Sequence, residues 1–133
     1  MTRRTLGALV FPGFELLDLF GPLEMFGMYP DAFSVRIVAQ SPGPVASTRN
    51  GPSVAVDDLL ADGPRYDVLL VPGGPGTRNE VANHALISWL GQAAAEAELI
   101  FSVCTGSVLL ARTGMLDGRR ATSNKRALHW ARS

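Results

Sequence analysis

Apolar residues along this chain follow two alternating periods. Residues 5–11, TLGALVF, form a short unbroken apolar run ending at Pro12-Gly13, which suits a strand buried in a parallel sheet. In ELLDLFGPLEMFGM, residues 15–28, Leu16, Leu19, Leu23 and Phe26 recur at helical spacing, with Glu15 placed in the first turn, where a carboxylate suits the helix dipole. Pro22 predicts a kink there, because it removes the amide that would pair with the Asp18 carbonyl. Residues 33–40, FSVRIVAQ, alternate like a strand and stop at Ser41-Pro42-Gly43-Pro44. VASTRNGPSVAV sets Asn50-Gly51 between two strand-like pieces, a hairpin signal that the following Pro52 weakens.

The second half repeats the alternation. DVLLV, residues 67–71, is an apolar strand running into Pro72-Gly73-Gly74, and a helix from about Asn83 to Glu98 aligns Leu86, Leu90 and Ala94 on one face. LIFSV, residues 99–103, reads as another buried strand, and residues 105–112 as a helix ended by Gly114 in a left-handed cap. Strands alternating with helices predict a three-layer α/β sandwich around a mostly parallel central sheet, one domain over residues 1–133.

Composition narrows the function. With 47% hydrophobic residues and 12 basic against 12 acidic side chains, the chain has no net charge to gather nucleic acid or an anionic membrane. The basic cluster GRRATSNKR, residues 118–126, lacks interleaved aromatics and reads as a solvated edge. No apolar run is long enough to span a bilayer. One cysteine cannot close an intrachain disulfide and no leader opens the chain, so a reducing cytoplasm is expected. No ligand pattern predicts a metal, and neither a Walker loop nor a dinucleotide fingerprint predicts a cofactor; VPGGPG is not a phosphate loop. Small-molecule chemistry or protein contact remains.

The chemistry points to Cys104. Ligands of open α/β sheets gather beyond the carboxyl ends of strands, where Cys104 and Gly73-Gly74 both fall. A sharp strand-to-helix turn exposes a nucleophile, and helix amides favour a thiolate. Cysteine is also among the most buried residue types, so packing is the competing reading. Asp18, flanked by Leu17 and Leu19 with no basic residue three or four positions away, lacks a surface ion pair; next to a thiolate it would tend to hold a proton. Glu15 is the rival carboxylate, one turn earlier. Gly73 and Gly74 offer room and backbone amides, though a turn alone would also use glycine. His84 and His129 are poor partners for a Cys-His machine, the first early in a helix and the second near the chain end.

FPGFELLDLFGP, VPGGPG and SVCTGS, in this order, resemble the ThiJ/PfpI superfamily, with its class I glutamine-amidotransferase-like, flavodoxin-like fold, and most closely its isocyanide hydratase branch. The resemblance implies that Cys104 is the nucleophile, Asp18 the carboxyl that moves its proton, Thr105 a holder of water or substrate, and Gly73, Gly74 and Glu15 oxyanion or substrate contacts. It implies hydration of a small isocyanide to an N-substituted formamide, without a cofactor. Two alternatives come with it: glyoxalase or deglycase chemistry on small carbonyls, and a non-catalytic sensing domain like those of AraC-type regulators. Many relatives place a histidine shortly after an Ala-Thr pair, where this chain has Asn124 and Lys125 in ATSNKR, which disfavours histidine-assisted amidase activity. A homodimer is implied, with the hairpin or first helix as contact, and no nucleic acid or membrane partner for this domain. Members usually continue beyond HWARS, so C-terminal elements that complete the sheet, or a DNA-binding part, are expected beyond this chain.

Overall fold

The computed structural model describes residues 2–133. Five parallel strands form the central sheet in the order β5-β2-β1-β6-β7: β1 is Arg4–Leu9, β2 Phe33–Ala39, β5 Asp58–Leu59, β6 Val68–Val71 and β7 Leu99–Ser102. β3 (Val45–Ala46) and β4 (Ser53–Val54) pair antiparallel as a separate hairpin. Helix α1 (Leu16–Gly27) joins β1 to β2, while α2 (Thr77–Glu80) and α3 (His84–Glu96) join β6 to β7. α4 (Gly106–Arg112) follows β7, and a 3-10 turn, Lys125–Ala127, leads into α5 (Leu128–Ala131).

The chain steps from β1 to β2 in one direction and from β6 to β7 in the other. Right-handed crossovers taken in opposite directions lay their helices on opposite faces, giving the three-layer α/β sandwich. The central strands are covered on both sides: Leu6, Ala8, Leu9 and Val68 to Val71 are buried. From one side α1 contributes Leu19, with Leu16, Leu23 and Phe26 packed behind it, and the helix continues through Pro22 to Gly27. From the other, α3 contributes Leu86, Leu90 and Ala94, as its spacing predicts, and the Asn83 side chain caps it by accepting the Leu86 amide.

Four local expectations need correction. β7 is the sheet edge rather than a buried strand, with Leu99 49% and Phe101 37% exposed, because β6 pairs with it on one side only. Glu15 is the N-cap of α1, its side chain makes no capping bond, and the first-turn carboxylate is Asp18. The hairpin exists, but Gly51 is extended (φ −69°, ψ −170°) and the left-handed residues are Arg49 and Asn50, since Pro52 bars its predecessor from helical angles. The short elements β5 and α2 are additional. β5 is held to β2 by Arg36, whose guanidinium donates to both Asp58 oxygens (2.7 and 2.6 Å), while the buried Tyr66 hydroxyl donates to Asp58 at 2.8 Å. No helix among the described residues is long and apolar enough to cross a membrane.

Candidate active site

Three strand ends converge. β1 hands over to α1 through residues 10–15, β6 to Pro72-Gly73-Gly74, and β7 to Val103-Cys104-Thr105, all at the carboxyl edge of the parallel sheet. The hairpin braces the first of these loops: the Gly13 amide donates to Ala46 and the Thr48 amide to Phe14.

Cys104 occupies the left-handed region at φ 55°, where an L-residue costs about 1–3 kcal/mol, so the turn is held by its surroundings. Those surroundings are close. A Cβ on Gly106 would strike the Val71 and Pro72 carbonyls, and one on Gly73 would lie 2.6 Å from both the amide nitrogen and Oγ1 of Thr105. Only glycine at these positions lets the Cys104 turn press against the end of β6. The Cys104 carbonyl accepts the hydroxyls of Ser107 (3.1 Å) and Ser123 (3.2 Å).

Asp18 sits beside the sulfur. Its Oδ2 accepts the Gly73 amide at 3.1 Å. Burial raises its pKa above the usual carboxylate value; the Gly73 amide opposes this, the Glu15 charge adds to it, and the nearby Cys104 thiol opposes it. The net direction is upward, so the folded environment favours the protonated carboxyl more than water does.

The sulfur has a second polar neighbour. Asn124 Nδ2 donates to Cys104 Sγ at 3.0 Å, while Asn124 Oδ1 accepts the Arg126 amide at 2.8 Å and caps the 3-10 turn. The amide's orientation is therefore fixed by the backbone: its oxygen is taken, and an N–H faces sulfur. Sequence reasoning passed over Asn124, Ser123 and Ser107. The signal was Asn124 itself, which the sequence had marked as a departure from the pattern of the family it resembles.

The remaining candidates have definite places. The Thr105 hydroxyl is buried, accepts the Gly74 amide at 3.0 Å and the Thr77 hydroxyl at 3.1 Å, and so ties the Cys104 turn to the diglycine. The Gly73 and Gly74 amides are both engaged, by Asp18 and by Thr105. Glu15 donates its backbone N–H to the Gly73 carbonyl at 2.9 Å and lines an open cleft of about 210 Å³ together with Cys104, Thr105, Arg78, Asn124 and Arg126. Cys104 also lines a second cleft, of about 460 Å³, bordered by Ser107, Arg120, Thr122 and Ser123. His84 and His129 are exposed, on α3 and α5, and neither lines these clefts. The cluster at residues 118–126 is thus more than a solvated edge, since Ser123 and Asn124 within it touch Cys104.

The chain matches the DJ-1/PfpI family over residues 6–129 and belongs to it. It is 36% identical over 126 residues to an isonitrile hydratase of Pseudomonas putida, an alignment that covers 95% of this chain and 52% of that protein. It is 32% identical over 126 residues to the HTH-type transcriptional regulator CdhR of Pseudomonas aeruginosa, covering 92% of this chain and 35% of the regulator. Among solved structures, a ThiJ/PfpI family protein from Pseudomonas syringae superposes with a TM-score of 0.80 at 33% identity, covering 86% of this chain and 48% of that one. The chain spans about half the length of the Pseudomonas putida relative and about a third of the regulator.

Proposed function

With the chain placed in the DJ-1/PfpI family, we propose that it hydrates a small isocyanide to an N-substituted formamide, with Cys104 as nucleophile. The observation that carries this reading is a cysteine held at a left-handed strand-to-helix turn beside a carboxyl that the Gly73 amide fixes in place. The similarity to an isonitrile hydratase supports it.

In this reaction Cys104 Sγ bonds to the terminal carbon of the isocyanide, and the thiol proton passes through the Asp18 carboxyl to the same carbon, giving a thioimidate. Water then enters from the cleft that Glu15, Thr105 and Asn124 line and adds to that carbon as hydroxyl, one of its two protons passing through Asp18 to the nitrogen. The C–S bond breaks, its electron pair returns to sulfur with a proton from the new hydroxyl, and the formamide leaves. One water is consumed, and no oxidant, reductant or cofactor enters the balance. Asn124 donates to sulfur whenever it carries negative charge, so both the attacking and the leaving sulfur are stabilised.

A second reading is favoured by the similarity to a transcriptional regulator: a sensing domain that binds its ligand in the same cleft without turnover. The deciding experiment incubates the protein and its Cys104→Ala variant with an isocyanide panel and with methylglyoxal, following formamide and lactate. Formamide that disappears with the cysteine supports hydration. Lactate supports the glyoxalase alternative, and ligand binding without product that survives Cys104→Ala supports the sensor.

We further propose a homodimer formed through α1. Leu17, Phe20, Met25 and Met28 share one face of that helix and are 46 to 76% exposed, an apolar stripe without cover in the single chain. A thiol that has to stay reduced fits the cytoplasm.

A further inference from the structure

Zero net charge conceals a strong segregation. After residue 111 the chain has six basic residues, Arg112, Arg119, Arg120, Lys125, Arg126 and Arg132, against the single acid Asp117, so the acids lie almost wholly before it. This basic segment folds back onto the site, since its Ser123 and Asn124 bond to the Cys104 carbonyl and sulfur.

Two arginines face the cleft of the sulfur. Arg126 is anchored through its own amide to Asn124, the residue that touches Sγ. Arg78, from α2 on the opposite wall, lies with its guanidinium carbon 4.6 Å above the centroid of the Trp130 ring of α5, which holds it in place across the mouth. Among the described residues the ion pairs are Arg4–Glu98 and Arg36–Asp58, so neither cleft arginine is neutralised, not even by Glu15 on the same rim. A third guanidinium, Arg120, borders the adjoining cleft.

We infer that the Cys104 cleft selects small electrophiles that carry a carboxylate, and that Arg78 and Arg126 are the residues that confer this preference. A planar guanidinium offers paired donors matched to a carboxylate, and one stacked on indole is already ordered before the ligand arrives. A substrate anchored there by its carboxylate leaves its reactive carbon on the Cys104 side of the same cleft. For the reaction proposed above, the substrate class becomes isocyanides bearing an acid group, such as isocyanoacetate, ahead of neutral ones.

The inference rests on Cys104 as the reacting group, and its test needs no hydratase turnover. The thiol is alkylated in parallel by iodoacetate, which is anionic, and iodoacetamide, which is neutral; in each case an S–C bond forms and iodide leaves. The expected result is a rate ratio that favours iodoacetate over the ratio shown by a small free thiol. Arg78→Gln and Arg126→Gln should each lower the ratio about threefold, the double variant about tenfold at low salt, and added salt should bring the wild type towards the variants. Arg78→Lys, which keeps the charge, should retain most of the preference and separates charge from any disturbance of Trp130. A ratio that the double variant and salt leave unchanged would overturn the anion preference alone. A thiol inert to both reagents would remove the nucleophile assignment, and this inference with it.

Discussion

Replacing Gly73 with alanine tests the packing that holds the site together. Gly73 has no left-handed φ, so its backbone angles admit alanine; the space does not. The added Cβ would stand 2.6 Å from both Thr105 N and Oγ1 and 3.1 Å from Asp18 Oδ2, where ordinary contact begins near 3.4 Å. The Cys104 turn would have to retreat by about 0.8 Å, across the gap now spanned by Gly73 N to Asp18 and Gly74 N to Thr105. Overpacking of this kind costs about 1–3 kcal/mol, and loosening two hydrogen bonds about 1 kcal/mol more. We expect Gly73→Ala to lose about 3 kcal/mol in urea unfolding, a fall in Tm of roughly 10 °C for a domain this size. Thiol alkylation should change with it, because Asp18 and the sulfur move apart. A variant within about 0.5 kcal/mol of the parent and with parental alkylation rates would refute the reasoning.

Asp18→Asn keeps an oxygen to accept the Gly73 amide but cannot carry a proton, so formamide production should fall by at least about a hundredfold. It should also alter the pH profile of stability. Because burial raises Asp18 in the folded state, that state binds more protons than the unfolded chain between the ordinary carboxylate value and the raised one, so stability contributed by Asp18 falls as pH rises through that window; chemical unfolding across pH should show this decline flattened in the variant. Asn124→Leu removes both the donor facing sulfur and the cap of the 3-10 turn, and should slow iodoacetamide alkylation about three- to tenfold while lowering stability by about 1 kcal/mol in denaturant titration. Tyr66→Phe leaves the ring packed against Gly7 but deletes the hydroxyl bonded to Asp58, and should cost about 1 kcal/mol by denaturant titration. Phe20→Asp, on the exposed face of α1, should convert a dimer to a monomer in sedimentation if that helix is the contact.

The alternation of β1, α1, β2, β6, α3, β7 and α4 was legible because each carries a strong period or a short apolar run, and all but α3 and β7 are bounded by Gly or Pro on at least one side. β5 and α2 were not, since two and four residues are too short to show any period. The misreading of LIFSV has a plain cause: an apolar run says that a strand wants cover, not whether a neighbour provides it. At the site, Cys104 and Gly73 could be placed together from topology because both lie on strand ends, whereas the approach of Asp18, which sits in α1, was implied by the family resemblance alone. The hydrogen-bond economy could not. That Thr105 points inward to Thr77 and the diglycine, and that Asn124 reaches back twenty positions to the sulfur, depend on tertiary packing that local pattern does not encode.

The Ser123 and Asn124 contacts also make the thiol a thermometer of its own surroundings. A stretch of short turns fastened to the Cys104 turn by two side-chain hydrogen bonds should detach at a temperature at which the central strands are still intact. On warming, the chemical signature of the sulfur should therefore drift before circular dichroism records any melting, and the working range of the protein should end below its melting point.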